Sequence, residues 1–214
     1  MMKSLAIFLT SLFLLAPQPS PSTVPKDGWA YLFNGKDLNG WKAYGDERWA
    51  VEDGAIVGES TAGKYGYLVT DKTYRDFDLR VRFKGEKEGN SGLFFHCRIT
   101  GTSDTGPDIQ GIQAEVDPTP GRHTGGLYES GGRGWLIQPT AEGEKALKSG
   151  EWNMLEVSVH GNRMITRLNG VEIVNYPDTA PKFTEGSVAL QIHTGGGVKV
   201  RWKDIEIRST PTTQ

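Results

Sequence analysis

Apolar and polar residues alternate with a period of two along most of the chain, and that period belongs to strands with one buried face. In DFDLRVRFKG (76–85), Leu79, Val81 and Phe83 fall on one face and Arg80 and Arg82 on the other. In SGLFFHCRIT (91–100), Leu93, Phe95, Cys97 and Ile99 are expected on one face, with Phe94, His96 and Arg98 opposite. NMLEVSVHG (153–161) turns Leu155, Val157 and Val159 inward, and SVALQIHT (187–194) sets Val188, Leu190 and Ile192 against Ala189, Gln191 and His193. VKVRWKDIEIRS (198–209) alternates again. NRMITRLNGVEIVNY (162–176) is two such runs around Asn169-Gly170, a strong signal for a tight hairpin. Strands at this density, separated by turn residues, predict an all-β sandwich of two antiparallel sheets. Helix is expected only as a short surface turn in AEGEKALKSG (141–150), ending at Gly150. The stretches 101–111 and 118–135 are rich in Gly and read as long loops, which in compact domains often carry function.

Composition narrows the class. The chain has 214 residues, 36% of them hydrophobic and 23% charged, which fits one globular domain. Its 28 Gly and 11 Pro suit many short strands joined by turns. A net charge of -2 with no basic run argues against a nucleic-acid partner and against an anionic membrane surface. Lys3 followed by LAIFLTSLFLLA (5–16) has the form of a secretory signal peptide, too short to span a bilayer, with PQPSPSTVP as a linker behind it. The expected organisation is a signal peptide and linker over 1–25, one sandwich over 26–209 and a tail over 210–214. The expected location is secreted or periplasmic. No Cys follows the apolar run, which argues against a lipoprotein. Cys97 is the only cysteine, so no internal disulfide forms, and its apolar neighbours make it a buried core thiol rather than a nucleophile.

GIQAEVDP (111–118) carries the candidate chemistry. In an extended chain Gln113, Glu115 and Asp117 share one face and Ala114 and Val116 the other. Carboxylates two apart on a strand lie about 6–7 Å from each other at the backbone and raise one another's proton affinity, which suits a general acid or base near neutral pH. An exposed polar face of an edge strand has the same pattern. The neighbourhood favours a site: Arg122, His123, Tyr128, Glu129, Arg133 and Trp135 follow closely, giving flat rings for stacking on sugars and forked donors for hydroxyls. His193 shares a face with Gln191, and His96 with Arg98 and Phe94; each is a surface histidine, a proton shuttle or a ligand. His, Glu and Asp converging on one sheet make a divalent cation a candidate cofactor, although no metal-ligand spacing such as H-E-x-x-H is present. There is also no G-x-S-x-G, P-loop or C-x-x-C. Trp29, Trp41, Trp49, Trp152 and Trp202 read as core, and Trp135, in a Gly-rich stretch, as exposed to substrate.

Several stretches together resemble one family. LFNGKDLNGW (32–41), W-x-V-x-D-G-x-I-V-G (49–58), YRDFDLRVRFK (74–84), GNSGLFFH (89–96), GIQAEVD (111–117), GEWNMLEVSVHG (150–161), LNG (168–170), LQIH (190–193) and VRWKDIEI (200–207) occur in the order found in the bacterial 3-keto-disaccharide hydrolase domain family. The resemblance covers residues 28 to 208 and implies a concanavalin A-like jelly roll. It also implies action on glycosides with a ketone at carbon 3, which acidifies the proton on carbon 2. On that reading Glu115 is the base, His193 a proton donor or enolate stabiliser, and Asp117 a residue that orients them or binds a metal. Asn90, Ser91, Gln113 and Gln191, with His96, Arg98, Tyr128, Glu129, Arg133 and Trp135, are expected to hold the sugar. The chain departs from the family where many members have Arg in place of His96 and read G-Y-E-x-Q-x-x-D in place of GIQAEVD. Jelly-roll glycosidases with E-x-D-x-E are a more distant echo; Thr119 stands where the third acid would be, so a two-carboxylate retaining mechanism is not supported.

The same sandwich would also carry a non-catalytic carbohydrate-binding module, or a surface scaffold. A titrating carboxylate on the GIQAEVD strand separates the enzyme from the module. A scaffold needs an apolar outer patch, which the pattern lacks.

Overall fold

The computed structural model describes residues 27–209. The expected signal peptide, its linker and the tail lie outside the described residues. No described helix is long and apolar enough to cross a membrane. In chain order the strands are β1 (Ala30–Tyr31), β2 (Trp41–Tyr44), β3 (Arg48–Glu52), β4 (Ala55–Glu59) and β5 (Gly66–Tyr74). Then come β6 (Phe77–Gly85), β7 (Ser91–Ser103), β8 (Gly106–Val116), β9 (Leu127–Ser130) and β10 (Gly134–Ile137). The last are β11 (Asn153–His160), β12 (Arg163–Leu168), β13 (Val171–Pro177), β14 (Gly186–Ile192) and β15 (Lys199–Ser209). One sheet runs β13-β12-β11-β6-β15-β4-β3 with β1 beside β15, the other β10-β9-β8-β7-β14-β5-β2. All strand pairs are antiparallel. The expected turn at 141–150 is a short 3-10 turn, Gly143–Ala146.

The core forms where the inward faces meet. Leu79, Val81, Phe83, Leu155, Val157, Val200 and Trp202 from one sheet face Leu68, Leu93, Phe95, Ala114, Val116, Leu190 and Ile192 from the other. Burying these chains removes them from water at roughly 25 cal/mol per Å². The Asn169-Gly170 hairpin forms as expected, with φ of 52° and 84° at its two central residues.

Two strands carry a bulge. His96 has φ of 47°, and the β7–β8 register shifts between Phe95 and Arg98. The period therefore breaks: Cys97 leaves the Leu93–Phe95 face and joins Phe94 on the outer face of the sheet. In β15, Asp204 has φ of 50° and the register against β6 shifts between Lys203 and Glu206, so Ile205 and Ile207 stay inward after Trp202.

The predicted loop at 101–111 is instead the arms of the β7–β8 hairpin. Its tip folds back over the outer face, and the Tyr65 backbone N–H donates to the Thr105 carbonyl at 2.8 Å. Gly106 has φ of 112°, and a Cβ there would lie 2.6 Å from the Tyr65 carbonyl oxygen, so only glycine allows the approach. Beneath this strap Tyr67, Val69, Phe94, Cys97, Ile109 and Ala189 form a second small core. The predicted loop at 118–135 is also only half loop, because β9 and β10 pair within it.

Candidate active site

Towards the end of β8, the side chains of Gln113 and Glu115 face away from the main core. They line a cleft of about 650 Å³ with Asn90 before β7, Gln191 of β14, His193 just after it, Tyr65, Tyr67, Tyr128 and Trp135. A second lobe of about 420 Å³ shares Asn90, Glu115, Trp135 and His193 and adds Asp117, Arg122 and His123. Glu115 therefore sits where the two lobes meet.

Glu115 is 4% exposed. Asn90 Nδ2 donates to its Oε1, and Gln113 Nε2 donates to its Oε2 at 3.0 Å. Its side-chain partners are amides; no Lys or Arg is among them. Burial pushes its carboxyl up to about 8, the Asn90 bond opposes that, and the charge of Asp117 adds to it. The Oδ1 of Asn90 is buried with no hydrogen-bond partner among the described residues, so an acceptor remains inside the site. Gln113 is fixed by further contacts at 3.3 Å to the Ser91 carbonyl and to Gln191 Oε1. It lies across Gly92, where a Cβ would come within 2.6 Å of its amide.

Asp117 closes the strand. Its Oδ1 accepts from the Thr119 N–H at 2.9 Å, and the Thr124 hydroxyl bonds its backbone N–H and carbonyl at 3.0 and 2.6 Å. The following loop returns to the strand through Gly125 N–H to the Glu115 carbonyl, and Glu115 N–H to the Gly126 carbonyl, each 2.9 Å. His193 is tied to Asn90 by a backbone bond of 3.3 Å. Its Nδ1 lies 3.0 Å from the Thr194 carbonyl, which can only accept, so Nδ1 carries the proton; Nε2 then accepts from the Tyr65 hydroxyl at 3.2 Å. Trp135 is 39% exposed and stands edge-on to Tyr128 and His123, with centroids 5.4 and 5.3 Å away.

The structure thus brings together Glu115, Asp117, His193, Asn90, Gln113, Gln191, Tyr128 and Trp135. Five expected site residues lie elsewhere. The bulge turns His96 against Phe77 and Phe95, with Nε2 2.8 Å from the Arg75 carbonyl, and burial holds its imidazole below the usual range. Arg98 lies beyond the strap, its guanidinium 4.0 Å over the Phe183 ring. Ser91 uses its hydroxyl internally, donating to the Gln191 carbonyl at 2.5 Å. Glu129 points to the side of β9 opposite Tyr128 and binds Arg133, which also grips Asp178 at 2.8 and 2.7 Å. Among the described residues no three His, Cys, Asp or Glu side chains are grouped as a metal ion would need. Tyr65 and Tyr67 escaped the sequence reading, although aromatics two apart in KYGYLVT share a face. Asp108, Gln110 and Ser130 line the cleft from segments read as loop.

A buried carboxyl without a cation, in an aromatic-lined cleft on a β-sandwich, has the make-up of a small-molecule site. Residues 28–208 match the 3-keto-alpha-glucoside-1,2-lyase-like domain, and the chain belongs to that family. It is 26% identical over 181 residues to the 3-keto-disaccharide hydrolase of Bacteroides thetaiotaomicron, covering 72% of this chain. The chain spans 60% of that relative's length. A solved structure from Parabacteroides distasonis, described as a candidate glycosyl hydrolase, is 25% identical with a TM-score of 0.66, over 88% of this chain and 99% of that one. The carbohydrate-binding module CBM66 of Bacillus subtilis has the same fold at 15% identity and a TM-score of 0.60, over 79% of this chain and 96% of that one.

Proposed function

We propose that this chain is an exported enzyme that cleaves 3-keto-glycosides by elimination and hydration, with Glu115 as the base. The single observation that carries this reading is the Glu115 carboxyl, buried without a cation at the junction of two sugar-sized lobes. A carboxyl raised to about 8 is a stronger base than an ordinary glutamate and still ionises near neutral pH.

The ketone at carbon 3 makes the carbon 2 proton removable. Ionised Glu115 takes that proton, and the electron pair moves into an enolate whose charge rests on the carbon 3 oxygen. Collapse of the enolate breaks the bond from carbon 1 to the departing oxygen, which takes up a proton, and leaves an enone. Water then adds at carbon 1 while Glu115 returns a proton to carbon 2; the sum is hydrolysis. Gln191, whose Oε1 already accepts from Gln113, lines the cleft, and its amide N–H groups are donors for the enolate or the ring hydroxyls. Trp135 and Tyr128 offer ring faces to the sugar.

The test is to incubate the purified chain with a 3-keto-glucoside and, separately, with the unoxidised glucoside, following enone absorbance and released aglycone. Turnover of the keto form alone is expected. Saturable sugar binding with no turnover of either would make the domain a carbohydrate-binding module.

A further inference from the structure

We propose that His123, held by Glu144, is the acid that protonates the departing oxygen; this rests on the elimination reading above. His123 is a non-glycine residue with φ of 69°, a strained conformation kept by its surroundings. Glu144, from the 3-10 turn, provides the hold. Its Oε1 accepts from the His123 backbone N–H at 3.1 Å and lies 2.6 Å from Nδ1 of the same residue. One carboxylate oxygen thus fixes both the backbone and the ring. It holds the Nδ1 proton, so on an imidazolium the Nε2 proton is the one free to leave. Trp135 packs edge-on against the ring.

Among the described residues Nε2 of His123 has no hydrogen-bond partner, and the residue lines the second lobe together with Glu115. The other histidine of the cleft cannot do the same work as it stands, because both ring nitrogens of His193 are engaged, Nδ1 by a carbonyl and Nε2 by Tyr65. The charged and titratable groups facing His123 are Glu144 behind it and Glu115, Asp117, Arg122 and His193 across the lobe. The geometry then divides the labour. Glu115 takes the carbon 2 proton at the junction. His123 passes its Nε2 proton to the oxygen leaving carbon 1 as that bond breaks, and the neutral imidazole recovers a proton from the water that later adds. The second lobe is the place of the departing group, and Glu144 is a positioning residue.

Leaving-group dependence tests this. An alkoxide needs a proton to depart and a 4-nitrophenolate does not. His123→Gln is expected to lower kcat/KM about 100-fold on a 3-keto-glucoside with a simple alcohol as aglycone, and by less than about 5-fold on the 4-nitrophenyl 3-keto-glucoside. Glu144→Gln, which leaves the imidazole in place, should give the same pattern at smaller size, and the double variant should be no worse than His123→Gln alone. Equal losses on both substrates in both variants would overturn the proposal and leave His123 as a structural anchor of the loop. If His123→Gln folds poorly, the Glu144→Gln ratio between the two substrates decides alone. A wild-type chain that turns over neither keto substrate would refute the elimination reading itself, an outcome distinct from these.

Discussion

Two buried glutamates on neighbouring strands show how one sheet treats the same side chain in opposite ways. Glu129, 3% exposed on β9, is bound to Arg133, and Arg133 also grips Asp178, whose carboxyl that guanidinium holds below the usual range. Glu115, 4% exposed on β8, has amide donors only and is pushed up to about 8. The first arrangement stabilises charge that would otherwise be expensive to bury. The second leaves the carboxyl poised to exchange a proton, and that property belongs to a reaction rather than to a scaffold. Burial of an acid is therefore not the mark of a site; burial with neither a compensating cation nor a set of backbone N–H donors is. Glu47 supplies a third solution: burial raises its carboxyl, but backbone N–H groups of Thr61, Ala62 and Lys64 outweigh this and lower it, so it orders a loop.

The comparison predicts different failures. Glu115→Gln should lower turnover of a 3-keto-glucoside by about 1,000-fold or more while the chain stays folded, read by steady-state kinetics beside circular dichroism. Arg133→Met should do the reverse: it leaves two acids buried without a cation, so denaturant unfolding should show a loss of roughly 3 kcal/mol, with little change in kcat of the folded fraction.

The pH dependence sharpens the contrast. Because the folded chain raises the Glu115 carboxyl from 4.5 to about 8, this group favours folding most below pH 4.5, and that contribution is lost as pH rises towards about 8. Glu115→Gln should therefore be more stable than the parent at pH 8–9, by a few kcal/mol on a scale of about 1.4 per pK unit, and nearly equal to it at pH 4. Over the same range kcat/KM of the parent should climb and level off as the base ionises. A stability gain that is the same at both pH values would mean the carboxyl is not raised.

Smaller effects test the support around Glu115. Gly92→Ala would put a Cβ within 2.6 Å of the Gln113 amide; thermal unfolding should show a loss of about 1–2 kcal/mol, with a higher KM. Tyr65→Phe removes the hydroxyl that His193 accepts from, and should reduce kcat by several-fold with about 1 kcal/mol or less of stability change.

The strands, the Asn169-Gly170 turn and the row Gln113, Glu115, Asp117 were legible because a period of two fixes which side chains share a face. Four things were not. A bulge inserts one residue and reverses everything after it, and nothing in SGLFFHCRIT announces that His96 adopts φ of 47°; Cys97 and His96 were misplaced for that reason. The Gly-rich stretches at 101–111 and 118–135 looked like loops because glycine is poor in strands in general, yet here close backbone approach demands it, as Gly106 against Tyr65 shows. Glu129 and Arg133 were assigned to the site by nearness in sequence, and only the orientation of β9 and the distant Asp178 reveal their structural task. His123 was visible as a neighbour of the acids, but its partner Glu144 comes from a segment that read as a mere surface turn.

The most direct test of the central claim is turnover of a 3-keto-glucoside carrying deuterium at carbon 2, compared with its unlabelled form, in the parent chain. If Glu115 removes that proton, the labelled substrate reacts more slowly with a primary isotope effect, and Glu115→Gln abolishes the reaction. Equal rates for both forms, together with cleavage of the unoxidised glucoside, would contradict the account and return Glu115 to the role of a sugar-binding acid.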